Sequence, residues 1–230
     1  MIVAYRIYFG LDADSKVKTI EGEGYLLARG GAHELDWFLH IPLPQNVTGM
    51  GELKVYDAHS SITKAGYPEV IGISNGINVK VLSNIKVMFF DPNFSQVNTL
   101  WNSNFVPGQR FKFNIALDNS IPISSIGSAP FDPYLFDQTS GYEIHLPGKT
   151  ALLTHSLTVV RKKTSFKDSN NFPFAMILPN DWVWPNEYVN MTKAYPQFID
   201  YINSGNQTHQ DWYKFGVSTG ITKNGGKWRW

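Results

Sequence analysis

Cysteine is absent from all 230 residues, which excludes structural disulfides, thiolate nucleophiles and cysteine-ligated zinc. Long apolar runs are absent too. No stretch approaches the ~20 residues of a membrane-spanning helix. Arg6 interrupts the one N-terminal apolar run, leaving no signal-peptide pattern. The chain opens directly into a strand pattern and is therefore expected to be a piece of a longer precursor. Neither sign of charge prevails: 20 basic against 19 acidic residues give a net charge of +1 and a pI of about 7.9. That balance carries no footprint for nucleic acid and no polybasic segment for a membrane surface. Charged residues make up 17% of the chain, against roughly a quarter in soluble domains. Asn, Ser, Thr and Gly take their place, as is typical of exported bacterial β domains.

Hydrophobic residues, at 43%, suffice for a substantial core. Their spacing is mostly two. Val3, Tyr5, Ile7, Phe9 and Leu11 make one apolar face, and the pattern resumes from Val17 to Ala28 after the turn cluster at 12–16. That predicts a β-hairpin. Gly22 and Gly24 lie within its second strand, where glycine marks a bulge or a close backbone approach. Further strands are predicted at Leu35–Ile41, between Ile77 and Phe90, at Phe111–Leu117, at Tyr142–Leu146 and at about His155–Val160. One helix is predicted near 196–204: Pro196 suits a first helical position, Phe198, Ile199 and Ile202 share a face, and Gly205 can end it. The expected fold is a mostly antiparallel β-sandwich of jelly-roll type, residues 1–230 as one domain, with a single short C-terminal helix.

Three motif matches fail on their context. Gly72-Ile73-Ser74-Asn75-Gly76 fits G-x-S-x-G, but a nucleophile elbow needs a helix next, and Ile77–Val81 reads as a strand. His33-Glu34 begins like a zincin helix, yet Trp37 stands where the second histidine belongs. Asp12, Asp14 and Glu23 occupy EF-hand positions, but Lys16 and Val17 replace a ligand and the required glycine.

Two constellations stand out more. Glu143 and His145, at i and i+2 of a strand, point to one face with Cβ atoms ~6–7 Å apart. They could share a metal, act as acid and base, or anchor a loop. Seven tryptophans are many for this length. Trp37 and Trp212 are assigned to the core. Trp182 and Trp184 share a face beside Pro179 and Pro185 and could form an exposed pair that stacks on a sugar. Trp228 and Trp230 share a face at the C-terminus.

The ordered series Ala129–Phe136, Gly141–Gly148, Phe172–Ala175, Pro185–Glu187, Ala194–Phe198 and Asp211–Tyr213 resembles the LruC domain, as does the opening from Ile2 to Gly30. LruC domains belong to bacterial exported and surface proteins without an established activity. The resemblance implies a location at the cell surface or outside the cell. It also implies that segments 129–147 and 172–213 form the packing heart of the fold. LruC domains commonly carry a D-x-D-x-N-D stretch just before the strand that begins here at Ile2. Such oxygen donors suit Ca²⁺, so at most an incomplete calcium site is expected here, with Glu143, Asp132 and Asp137 as its candidate ligands.

The expected function is that of a noncatalytic exported or surface-attached module, ligand-binding or adhesive, with a surface glycan or a protein as partner. Trp182, Trp184, Glu143 and His145 are its candidate binding residues. The alternatives are a carbohydrate-active enzyme using two of Asp132, Asp137 and Glu143 at ~5–9.5 Å, or a structural spacer.

Overall fold

The computed structural model describes residues 1–31, 33–57, 62–73, 76–85, 96–101, 104–152, 165–179 and 181–222. Among the described residues nine strands run β1 (Ile2–Leu11), β2 (Val17–Ala28), β3 (Leu35–Ile41), β4 (Gly49–Tyr56), β5 (Glu69–Gly72), β6 (Ile77–Leu82), β7 (Arg110–Ile121), β8 (Asp132–Asp137) and β9 (Glu143–Ile144). They form two antiparallel sheets, ordered β1-β2-β7-β4-β5 and β6-β3-β8-β9. Their inner faces meet as a β-sandwich, the fold class expected from the alternation.

The core follows from period two. On β7, Phe111, Phe113, Ile115 and Leu117 are buried, while Lys112 and Asn114 between them are exposed. Leu53 and Val55 of β4 and Ile20 of β2 extend this face. Trp37, Leu39 and Ile41 of β3 and Val79 and Val81 of β6 close it from the other sheet. Each such side chain contributes roughly 1.5–3 kcal/mol. The glycines of β2 serve close approach. A Cβ at Gly22 would stand 2.2 Å from the Phe113 ring, and one at Gly24 would stand 2.3 Å from the Phe111 ring. The hairpin turn is closed by Asp12, whose Oδ1 accepts from the backbone N–H groups of Asp14 and Lys16 at 2.9 and 3.0 Å.

Three strands lie outside the sequence reading. β4 carries Gly49 and Gly51 where apolar residues would have shown the alternation, β5 has four residues, and β8 contains Pro133. Conversely, the strand predicted at 142–146 shrinks to two residues, and the one at 155–160 lies outside the described residues.

The C-terminal part packs differently from what the resemblance implied. Helices α1 (Met191–Ala194) and α2 (Phe198–Asn203) flank Pro196, which cannot continue a helix. Tyr195, Phe198, Ile202 and Trp212 form a cluster of their own, separate from the sandwich core. Of the aromatic side chains in segments 129–147 and 172–213 only Phe131 is buried in that core, and Phe174 is 45% exposed. Segment 172–213 therefore builds a second, smaller nucleus, because its prolines and short helices give it no sheet register to enter.

Candidate functional site

β8 and β9 pair through Phe136 opposite Glu143. This places Glu143 and His145 on one face, as their spacing predicted, but that face is covered and both side chains are buried. There the pair meets Asp132 at the start of β8. Nδ1 of His145 lies 3.0 and 2.9 Å from the two Asp132 carboxylate oxygens, and Nε2 lies 3.0 Å from Oε2 of Glu143. All three are buried, His145 at 0% exposure, and its ring stacks on Tyr134 at 4.4 Å and 12°. Oε2 of Glu143 also accepts from the Leu152 N–H at 2.7 Å.

Burial by itself favours the uncharged ring. Hydrogen bonds to Asp132 and Glu143, and the charges of both carboxylates, outweigh it and hold the His145 pKa above the ordinary histidine value. Each ring nitrogen faces a carboxylate oxygen within hydrogen-bond distance, an arrangement that favours the imidazolium, for which both contacts are charge-assisted. Acid–base catalysis requires the group to reach a substrate proton, and this one is wrapped in carboxylates and aromatic rings. What the triad does is tie β8, β9 and the chain at Leu152 together.

Asp137 does not join it. Its Oδ1 accepts from the Thr139 and Ser140 N–H groups at 2.9 and 3.3 Å, closing the turn after β8. The three carboxylates named as calcium ligands thus do not converge on one point. Among the described residues no group of three or more His, Asp or Glu side chains is arranged to hold a metal ion.

Trp182 and Trp184 do not form an exposed platform. Trp184 is 3% exposed, packs on Leu27 and Ala28, and donates from Nε1 to the Asn98 carbonyl at 2.7 Å. Trp182 is half-buried beside Tyr195. Both side chains instead face a cleft. Ser74, Trp228 and Trp230 lie outside the described residues.

That cleft has a volume of about 860 Å³. One wall is β1, from Met1 through Ile7. Pro173–Pro179 lines the cleft as well, together with Ser128–Phe131, Ile144 and Leu146. It is apolar and aromatic, with few polar groups. One of these, the Tyr5 hydroxyl, donates to the Pro130 carbonyl at 2.9 Å. Burial first, and then the Asp132 charge, push the Tyr5 pKa up, so the hydroxyl stays a donor. The sequence reading missed this site. Its one signal is Pro173-Phe174-Ala175-Met176-Ile177-Leu178-Pro179, an apolar run bounded by prolines that fits neither a period-two strand nor a helix.

The fold is similar to that in the crystal structure of a candidate lipoprotein from Bacteroides ovatus, with a TM-score of 0.66 over 96% of this chain and 69% of that one. The two are 12% identical in sequence, a level at which the likeness concerns the fold alone. No curated protein matches the sequence. The model of the family described as a domain of unknown function, DUF4842, matches residues 15–213, and the chain belongs to that family.

Proposed function

We propose that the chain is a noncatalytic binding module of an exported or cell-surface protein, and that it takes its ligand in the cleft between β1 and Pro173–Pro179. One observation carries the reading: a cleft of about 860 Å³ lined by apolar and aromatic side chains. Ligand sites typically span ~300–1,000 Å³ with such linings and a few polar groups. The buried state of the Asp132–His145–Glu143 triad supports the noncatalytic half of the proposal. The LruC resemblance and the fold shared with a candidate lipoprotein support the location.

The test uses anilinonaphthalene sulfonate, a dye that fluoresces in apolar sites, titrated against the folded chain. Val3→Trp fills the cleft from the β1 wall and Ala175→Trp fills it from Pro173–Pro179. The expected result is saturable binding by the parent chain, weakened at least tenfold in both variants while their circular dichroism spectra stay unchanged. No binding by the parent chain, or equal binding by all three, overturns the proposal.

A further inference from the structure

The free edge of β1 says what kind of ligand the cleft takes. β1 has ten residues, spanning about 33 Å at ~3.3 Å per residue, and among the described residues it pairs with β2 alone. An edge strand presents a row of N–H and C=O groups, and proteins blunt such edges by shortness, charged side chains, proline, bulges or a covering segment. The other edges here follow that rule. β5 has four residues, β9 has two, and β6 has six with Lys80 among them. β1 contains neither lysine nor proline, its one charged side chain, Arg6, is held by Glu23 of β2 at 2.7 Å, and its register with β2 is regular from Val3 to Gly10.

The cleft follows this edge. A space lying only over the inner face of β1 would touch alternate residues, because side chains of a strand alternate in direction. Consecutive residues from Met1 to Ile7 line it instead, so Ile2 and Ala4 border it together with Val3 and Tyr5. An acyl chain fills apolar volume but offers nothing to the backbone groups. A second copy of the chain would bring its β1 edge attached to a five-stranded sheet, a far bulkier occupant for a cleft that Pro173–Pro179 also lines. A single extended backbone meets both demands.

We infer that β1 is a strand-addition site: the ligand is an extended polypeptide segment, apolar at alternate positions, that lies in the cleft as an extra strand beside β1. Main-chain hydrogen bonds along β1 supply affinity, and alternate side chains enter the apolar space. The inference rests on the cleft being the ligand site, and its test separates the two.

A phage-displayed library of random decapeptides is selected against the folded chain. The enriched peptide is resynthesised, once plain and twice with N-methyl groups at alternate amides, one version for each edge. Three results together are expected. Enriched sequences are apolar at every second position. Methylation of one edge weakens binding at least tenfold while methylation of the other does not. The bound peptide slows hydrogen exchange at amides between Ile2 and Phe9, and Val3→Trp and Ala175→Trp lose it. Equal binding of all three peptides, or protection elsewhere than β1, overturns strand addition. So does the absence of any enriched peptide. If the dye still binds and both tryptophan variants still block it, the cleft remains a ligand site and only the strand is lost. If dodecanoate binds and no peptide does, the ligand is an amphiphile and the inference fails. Concentration-dependent dimerisation that protects the same amides without peptide overturns it in favour of a second copy.

Discussion

Replacing His145 with Phe removes the one cation between two buried carboxylates and keeps an aromatic ring against Tyr134. His145 is fully buried and bonded on both sides, to Asp132 at 2.9 Å and to Glu143 at 3.0 Å. Removing one partner of a buried ion pair costs about 3–5 kcal/mol, because the remaining charge is left without compensation. In a chain of this size ~1 kcal/mol moves the melting temperature by ~2–4 °C, so His145→Phe is expected to lower it by about 6–20 °C. Urea unfolding followed by far-UV circular dichroism gives the free energy directly. A second variant, combining Asp132→Leu, Glu143→Gln and His145→Phe, removes the charges while Gln keeps an acceptor for the Leu152 N–H. Buried ion triads exchanged for apolar groups are often neutral, so this triple variant should regain at least ~1 kcal/mol over His145→Phe. The pH dependence has a definite sign. The folded pKa of His145 is raised, so its contribution is complete below the unfolded value of about 6.5 and is lost as pH rises through the folded value. The parent chain should lose stability as pH rises from about 6.5, and His145→Phe should lack that part of the slope. A His145→Phe variant within ~1 kcal/mol of the parent, with the same pH profile, refutes the buried imidazolium.

Two further expectations concern packing. Phe198→Ala and Trp212→Ala should each cost about 3–5 kcal/mol in urea unfolding, because both rings are 2% exposed within the C-terminal cluster. Phe174→Ala, at 45% exposure, should cost less than ~1 kcal/mol; equal losses in all three variants contradict the placement of that segment. Gly22→Ala puts a methyl group 2.2 Å from the Phe113 ring and should destabilise by ~1–3 kcal/mol through overpacking. A melting temperature unchanged in Gly22→Ala shows that the ring can move aside freely.

The sequence displays its strands where both faces are chemically distinct. β1, β2, β3 and β7 each alternate apolar with polar or small residues, and all four were legible. β4 hides because Gly49 and Gly51 replace apolar side chains where the neighbouring strand comes close. A Cβ at Gly51 would stand 2.2 Å from the Asn114 carbonyl oxygen, so packing, not propensity, chose that residue. β8 hides because both of its faces are covered. Asp132, Pro133, Tyr134 and Phe136 are all buried, and the outer cluster of Phe38, Tyr134 and Phe136 removes the polar alternation. Aromatic density in the C-terminal third was legible, but its destination was not. Composition shows that rings will be buried and leaves open which nucleus they join.

The candidate site divides along the same line. Spacing places Glu143 and His145 on one face, since i and i+2 in a strand must share it. Whether that face looks inward depends on what lies across the sheet. Asp132 answers from thirteen residues away in sequence, through the β8–β9 pairing. Asp132 and Glu143, two of the three carboxylates that could have served chemistry or a metal, therefore hold His145 between them, and β9 is two residues long. Ile144 of β9 and residues of β1 line the same cleft. The proposed binding surface is instead a cleft whose lining comes from β1, residues 128–131 and residues 173–179, far apart in the sequence. No motif encodes it, which is why a search of the chain for catalytic or metal-binding patterns passes over it.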